Sequence, residues 1–225
     1  MQAQKAEKNY YELPKQRVSL LVNSFLKDRF VLSKDFFVGK KVLEIGSTIN
    51  SHIHRLGNDP ILAVGIDPLA RFFSPAYPRS AEHIEARGEE LPLKSESFNV
   101  VLCINTLDHT ENPSAVLDQI RNVLAKDGTL LFSVDTYSLP KVIRRFVLGK
   151  FDPPHPHHFT DSEIFKLLAN ARFKVEYSYM GGKEWIAEFK NDFFVRKLKK
   201  SALKFFVAKL FLRLRYVWLR CSVMD

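Results

Sequence analysis

Glu44 and Asp67 end the first and second of four short apolar runs, Glu89 and Glu90 follow the third, and Asn105, Asp108 and His109 follow the fourth. Acidic residues at such places are commonly solvated loop residues when met singly, but seven polar groups after successive runs can line one edge of a sheet. A carboxylate about 20 residues beyond a glycine turn, as Asp67 is beyond Gly46, suits the hydroxyls of a ribose. An imidazole with an ordinary pKa of about 6.5 can take a proton near neutrality, which makes His109 a candidate base and Asp108 the group that orients it or binds an acceptor.

The turn itself reads VLEIGSTIN over residues 42–50. Gly46 allows a sharp backbone turn, whereas Thr48 and Asn50 stand where nucleotide-binding loops usually repeat the glycine. Asparagine tolerates left-handed angles, so Asn50 can replace a glycine; β-branched Thr48 must keep ordinary angles. Two other clusters are set aside. The run His155-Pro156-His157-His158 has no cysteine or spaced carboxylate beside it in the sequence, so no metal site is expected. Cys103 and Cys221 lack a neighbouring base and lie far apart, which argues against a nucleophile or a disulfide and for a reducing, cytoplasmic setting.

The elements that must position these groups alternate in kind. Residues 14–32 carry apolar side chains at helical spacing after Pro14. Strands are predicted over residues 41–46, 61–66, 83–86, 98–104 and 129–134, with a helix between the last two that starts near Pro113 and ends before Gly128. Continuous apolar strands separated by helices predict a doubly wound α/β sheet covered on both faces. Such sheets bind ligands at the carboxyl ends of their strands.

With 225 residues and 46% hydrophobic content, the chain can bury one substantial core plus an appendage. The N-terminus lacks the apolar core of a signal peptide, and no uncharged stretch reaches the roughly 20 residues that span a bilayer. The net charge of +9 is uneven: residues 183–225 hold eleven Lys and Arg against four Asp and Glu, so +7 of it belongs to the tail. Residues 191–210 read as an amphipathic helix, with Phe194, Leu198, Phe205 and Phe206 on one face and Arg196, Lys197, Lys200 and Lys204 opposite, suited to packing on the domain or resting on an anionic membrane surface. From Leu212 alternation predicts a final strand. The tail has few base-reading elements, so a nucleic-acid partner is not favoured. Residues 138–158 form a long connection suited to an acceptor-binding lid, in which Arg144, Arg145 and Lys150 are available to an anion.

From Gly39 to Gly181 the chain resembles the class I S-adenosylmethionine-dependent methyltransferases, particularly the type 11 subgroup. VLEIG is similar to the first family motif and VGIDPL to the second, and the ordered string from Gly88 to Val134, GEELPLKSESFNVVLCINTLDHTENPSAVLDQIRNVLAKDGTLLFSV, follows the third to fifth strands almost without gaps. HHFTDSEIFKLLANARFKVEYSY matches the next helix and sixth strand. The resemblance implies a Rossmann-like sheet of seven strands, the last antiparallel. It implies cofactor contacts from Glu44, Gly46, Ser47, Asp67, Pro68, Leu69, Glu89, Leu91 and Asn105, with Asp67 at the ribose and Pro68 and Leu69 beside the adenine. Arg87 stands where many relatives carry an acidic residue. The organisation expected is an N-terminal helical cap (1–38), a cofactor-binding core (39–182) and a basic helix with the last strand (183–225). The function expected is methyl transfer to a small molecule, lipid or glycan; the alternatives are a binding module without turnover and a nucleic-acid methyltransferase.

Overall fold

The computed structural model describes residues 22–48, 51–73, 81–142, 144, 155–181 and 215–224. The expected membrane-facing helix at 191–210, Asn50, Arg145, Lys150 and residues 14–21 of the first helix lie outside the described residues. No described helix is long and apolar enough to cross a membrane.

Seven strands form one sheet: β1 (Lys41–Ile45), β2 (Leu62–Asp67), β3 (Glu82–Glu85), β4 (Phe98–Ile104), β5 (Leu124–Thr136), β6 (Phe173–Gly181) and β7 (Arg215–Val223). Their spatial order is β3-β2-β1-β4-β5-β7-β6. The first five run parallel, while β7 is antiparallel to both β5 and β6. The order reverses between β1 and β4, so the ends of those strands open a crevice.

Burial on both faces explains why the central strands are continuously apolar. On one face, Val42, Val100, Leu102 and Leu131 pack with Leu26 and Phe30 of α1 (Val22–Phe30) and with Trp218. On the other, Leu43, Ile45, Val101, Cys103, Leu130 and Phe132 meet α3 (Pro113–Val123) and α4 (Asp161–Asn170). A short helix, α2 (Ala70–Phe73), follows β2. Helix α3 starts at Asn112, whose side chain accepts the Ala115 amide at 3.2 Å, and continues through Pro113, which needs no donor there. It buries Val116, Leu117, Ile120 and Val123, each contributing about 1.5–3 kcal/mol.

Two boundaries differ from the sequence reading. Helix α3 ends at Val123 rather than near Gly128, because Leu124 already pairs with Phe98 and the chain then shifts register to pair Thr129 with Val100. Gly128 sits inside that irregularity, where a Cβ would lie 2.8 Å from the Ala125 carbonyl oxygen. The last strand covers Arg215–Val223 and extends past the alternating stretch: Tyr216, Val217, Trp218 and Leu219 are all buried, since both faces are covered and alternation is not required.

Candidate cofactor and acceptor site

Gly46 follows β1 with φ of 79°, and its amide and that of Ser47 both donate to the Ile66 carbonyl, at 2.8 and 2.9 Å. A Cβ at Gly46 would lie 2.3 Å from Thr106 Oγ1 and 2.5 Å from its Cγ2. Thr106 comes from the turn after β4, and its hydroxyl lies 3.1 Å from the Ile45 carbonyl and 3.0 Å from that of Ile104. One proton thus serves two strand ends and joins them behind the turn. Ser47 is fully buried, with Oγ 2.3 Å from where a Cβ would sit on Gly65, so its hydroxyl is turned toward β2. Thr48 is buried and is not among the residues with positive φ, as β-branching requires.

Glu44 holds the loop from below. Its Oε1 accepts from the His52 amide at 3.2 Å and meets His52 Nδ1 at 2.9 Å, while Oε2 accepts from the Ile53 amide at 2.9 Å. These donors open a 3-10 turn (His52–Arg55). Burial pushes the Glu44 carboxyl up, but the hydrogen bond and charge of His52 and the two amides outweigh it and hold the group below the ordinary range. Glu44, expected among the cofactor contacts, directs both carboxylate oxygens to the His52–Arg55 turn.

Asp67 ends β2, buried, with Oδ1 accepting the Leu69 amide at 2.7 Å. Pro68 is half-buried, and Leu69 and Leu91 are buried. The Leu91 amide donates to Gln119 of α3 at 3.3 Å. Glu89 lies between these leucines in sequence position but serves the main chain: its Oε1 accepts the amides of Glu111 and Asn112 at 2.8 and 3.2 Å. Burial raises its pKa, while these amides and Arg87 lower it further, for a net depression. Arg87 pairs with Glu89 at 3.6 Å and Glu111 at 2.8 Å, so its cation is engaged at the entrance to α3. Asn105 is exposed with φ of 52°, directly after β4, an angle that asparagine tolerates.

Asp108 and His109 lie on a 3-10 turn (Leu107–His109) anchored by buried Leu107. His155 arrives from the 138–158 connection. Its Nε2 is 3.6 Å from Asp108 Oδ2, and its ring centroid is 4.3 Å from that of His109. The His157 amide donates to the Asp108 carbonyl at 3.2 Å and fastens the connection to the turn. Sequence reasoning paired Asp108 with His109 but set His155 aside, because the carboxylate that accompanies it is 47 positions away. It also missed His52 and Thr106, for which the sequence carried no distinguishing signal.

Arg144 does not stand free for an anionic acceptor. It is buried, donates to the His158 carbonyl and holds both oxygens of Glu163 at 2.8 Å. That ion pair, opposed by burial and aided by the Thr160 amide, keeps the Glu163 carboxyl below its ordinary range. Thr160 and Glu163 form a capping box at the start of α4, so Arg144 ties the connection to a helix end. Both cysteines are free and buried, and burial pushes their thiols up, to about 12 for Cys221, which suits packing rather than nucleophilic chemistry.

Comparison with known proteins agrees with this architecture. Residues 15–178 match the family described as a methyltransferase domain. Among curated relatives, an uncharacterized protein of Methanocaldococcus jannaschii is 26% identical over 219 residues, covering 92% of this chain and 85% of its own length. The tRNA U34 carboxymethyltransferase of Dichelobacter nodosus is 33% identical over 99 residues, 41% of this chain, and the match spans only 32% of that relative. The ubiquinone biosynthesis O-methyltransferase of Glaesserella parasuis is 25% identical over 54% of this chain and 58% of its own length. Of solved structures, an S-adenosylmethionine-dependent methyltransferase from Mesorhizobium loti superposes with a TM-score of 0.59 at 13% identity, over 89% of this chain and 96% of that one. The cyclase SpnF superposes at 0.62 and 15% identity, over 94% and 86%, a reminder that the fold alone does not fix the reaction. The family match covers most of the chain, from α1 to β6, and the seven strands with the last antiparallel are those the resemblance implied: the protein belongs to the class I S-adenosylmethionine-dependent methyltransferases.

Proposed function

We propose that the crevice at the ends of β1, β2 and β4 binds S-adenosylmethionine and that the protein moves its methyl group to a small-molecule, lipid or glycan acceptor beside Asp108 and His109. The observation that carries this is the meeting, at one sheet edge, of a left-handed glycine turn and a buried carboxylate at the end of the neighbouring strand. The residues fit the cofactor: Thr106 leaves room at position 46 for main chain only, Asp67 puts a carboxylate at the end of the neighbouring strand, and Leu69 and Leu91 offer apolar flanks. In this reading Gly46 and Ser47 contribute main chain, Asn105 borders the methionine part, and Glu44 and Glu89 position the loops around the cofactor.

The cofactor supplies a methyl group already activated on a sulfonium. The chain's work is therefore to hold an acceptor in line, where orientation can contribute about 7–11 kcal/mol. Asp108 and His109 handle that acceptor, positioning it and receiving the proton it sheds.

Asp67→Ala tests the cofactor side. Loss of a hydrogen bond to a charged group costs about 1.5–3 kcal/mol, so calorimetry should show S-adenosylmethionine affinity lowered about 10- to 150-fold. Unchanged affinity would place the cofactor elsewhere. His109→Ala tests the acceptor side once a tritiated-methyl screen has supplied an acceptor: turnover should fall about 100-fold or more while cofactor affinity changes little. Turnover equal to that of the parent protein would leave His109 a packing role. Cofactor binding without transfer to any fraction would favour the module that binds and does not turn over, which the buried Thr48 at a customary glycine position also suits.

A further inference from the structure

Asp108, His109 and His155 place one carboxylate oxygen and two imidazole nitrogens within 4.8 Å of one another. The Asp108 side chain is only 5% exposed, and its Oδ1 is buried with no hydrogen-bond donor. A closed-off carboxylate with one oxygen lacking a donor is costly, and a cation beside it, where Oδ2 lies 3.6 Å from His155 Nε2, would offset its charge. Both halves of the cluster are held independently of any ion. Leu107 anchors the turn bearing Asp108 and His109, and the bond from the His157 amide to the Asp108 carbonyl brings the 155–158 stretch alongside.

We propose that these three residues form a binding site for a divalent transition ion of the zinc type, with acceptors of the oxygen class as its ligands in turnover. Two imidazoles and a carboxylate suit borderline ions rather than magnesium or calcium, which prefer oxygen alone. Three protein ligands leave a coordination position open, the pattern of catalytic rather than structural zinc. An ion held there would lower the pKa of a hydroxyl bound to it, so that the proton would pass to solvent and the acceptor oxygen would meet the sulfonium methyl group in its nucleophilic form. The proposal rests on the reading of Asp108 and His109 as the acceptor side and deepens it: His109 then holds the ion in place of receiving the proton itself, and the acceptor is an alcohol or phenol rather than a carbon.

The test is a titration of the metal-stripped full chain with zinc chloride, followed by calorimetry and by metal content after desalting. One zinc per chain is expected, with affinity lowered about 100-fold in His155→Ala and in Asp108→Asn. His83→Ala serves as the control, since His54 and His83 form the other close imidazole pair, with Nε2 atoms 3.0 Å apart. That variant should bind zinc as the parent does. No uptake by the parent, equal affinity in His155→Ala, or a loss that follows His83→Ala instead would overturn the proposal. Should Asp108→Asn fail to fold, the partly exposed His155 carries the comparison alone. S-adenosylmethionine affinity, measured on the same samples, should be unchanged by His155→Ala; its absence in the parent would refute the cofactor reading while leaving the zinc result standing.

Discussion

Gly46→Ala should lower the stability of the whole domain by about 3–5 kcal/mol, near the upper end of single substitutions. Two costs combine. A non-glycine residue at a φ of 79° stores about 1–3 kcal/mol of backbone strain. The new methyl group also falls 2.3 Å from Thr106 Oγ1, and that side chain cannot simply rotate away because its hydroxyl joins the ends of β1 and β4. Urea denaturation measures the sum, and a second substitution separates the parts: Thr106→Ala in the Gly46→Ala background should recover the collision but not the strain. A denaturation midpoint unmoved by Gly46→Ala would mean that the turn relaxes freely and has no fixed shape to offer a ligand.

Glu44→Ala should cost about 3 kcal/mol, because it strands a ring nitrogen and two amides that a buried carboxylate now gathers, and bonds to a charged acceptor are worth about 1.5–3 kcal/mol each before its own desolvation is regained. Glu44→Gln keeps one carbonyl oxygen and should lose about half as much. The pH dependence has a definite sign. Glu44 titrates below its ordinary value in the folded protein, so its contribution is complete above about 4.3 and disappears as pH falls through the lower folded value. The stability gap between the parent and Glu44→Ala should therefore narrow as pH falls below about 4.3. His83 acts earlier and in the same sense: burial, with His54 beside it, pushes its pKa down to about 4. Between its ordinary value of about 6.5 and that figure the unfolded chain takes up the proton first, and stability declines in both proteins, to a lower pH in Glu44→Ala because the carboxylate charge that raises the His83 pKa is gone. A gap that stays constant down to complete acid unfolding would show that Glu44 is not held as a carboxylate.

What was legible in the sequence follows from how locally it is encoded. Leu43, Ile45, Val64, Ile66 and Val101 are buried between helical layers, so their strands appear as unbroken apolar runs, and the polar residues that end those runs fall at one sheet edge. Gly46 and Asp67 were recognisable because turn and carboxylate have a required type and spacing. The partners of the remaining polar groups were not, since burial and long-range pairing decide them. Arg144 read as a spare cation in a loop until its pairing with Glu163, 19 positions away, became visible. The sequence neighbours of His155 do not include Asp108, which meets it from the turn after β4. Thr106 looks like any hydroxyl after a strand, and only the absent Cβ of Gly46 reveals why it stands there.

The insertion of β7 between β5 and β6 also governs the order in which the molecule can assemble. β5 and β6 precede β7 in the chain, and β6 joins the sheet only through β7, so neither pairing can form until residues 215–223 are available. Pairing Thr136 with Arg215 requires closure over 79 positions of sequence, the kind of distant contact that slows folding. Open strand edges held for that interval are the natural template for mispairing between nascent chains. Until β7 pairs, the edge of β5 is therefore the exposed one, and the segment that closes it follows the basic stretch of the chain.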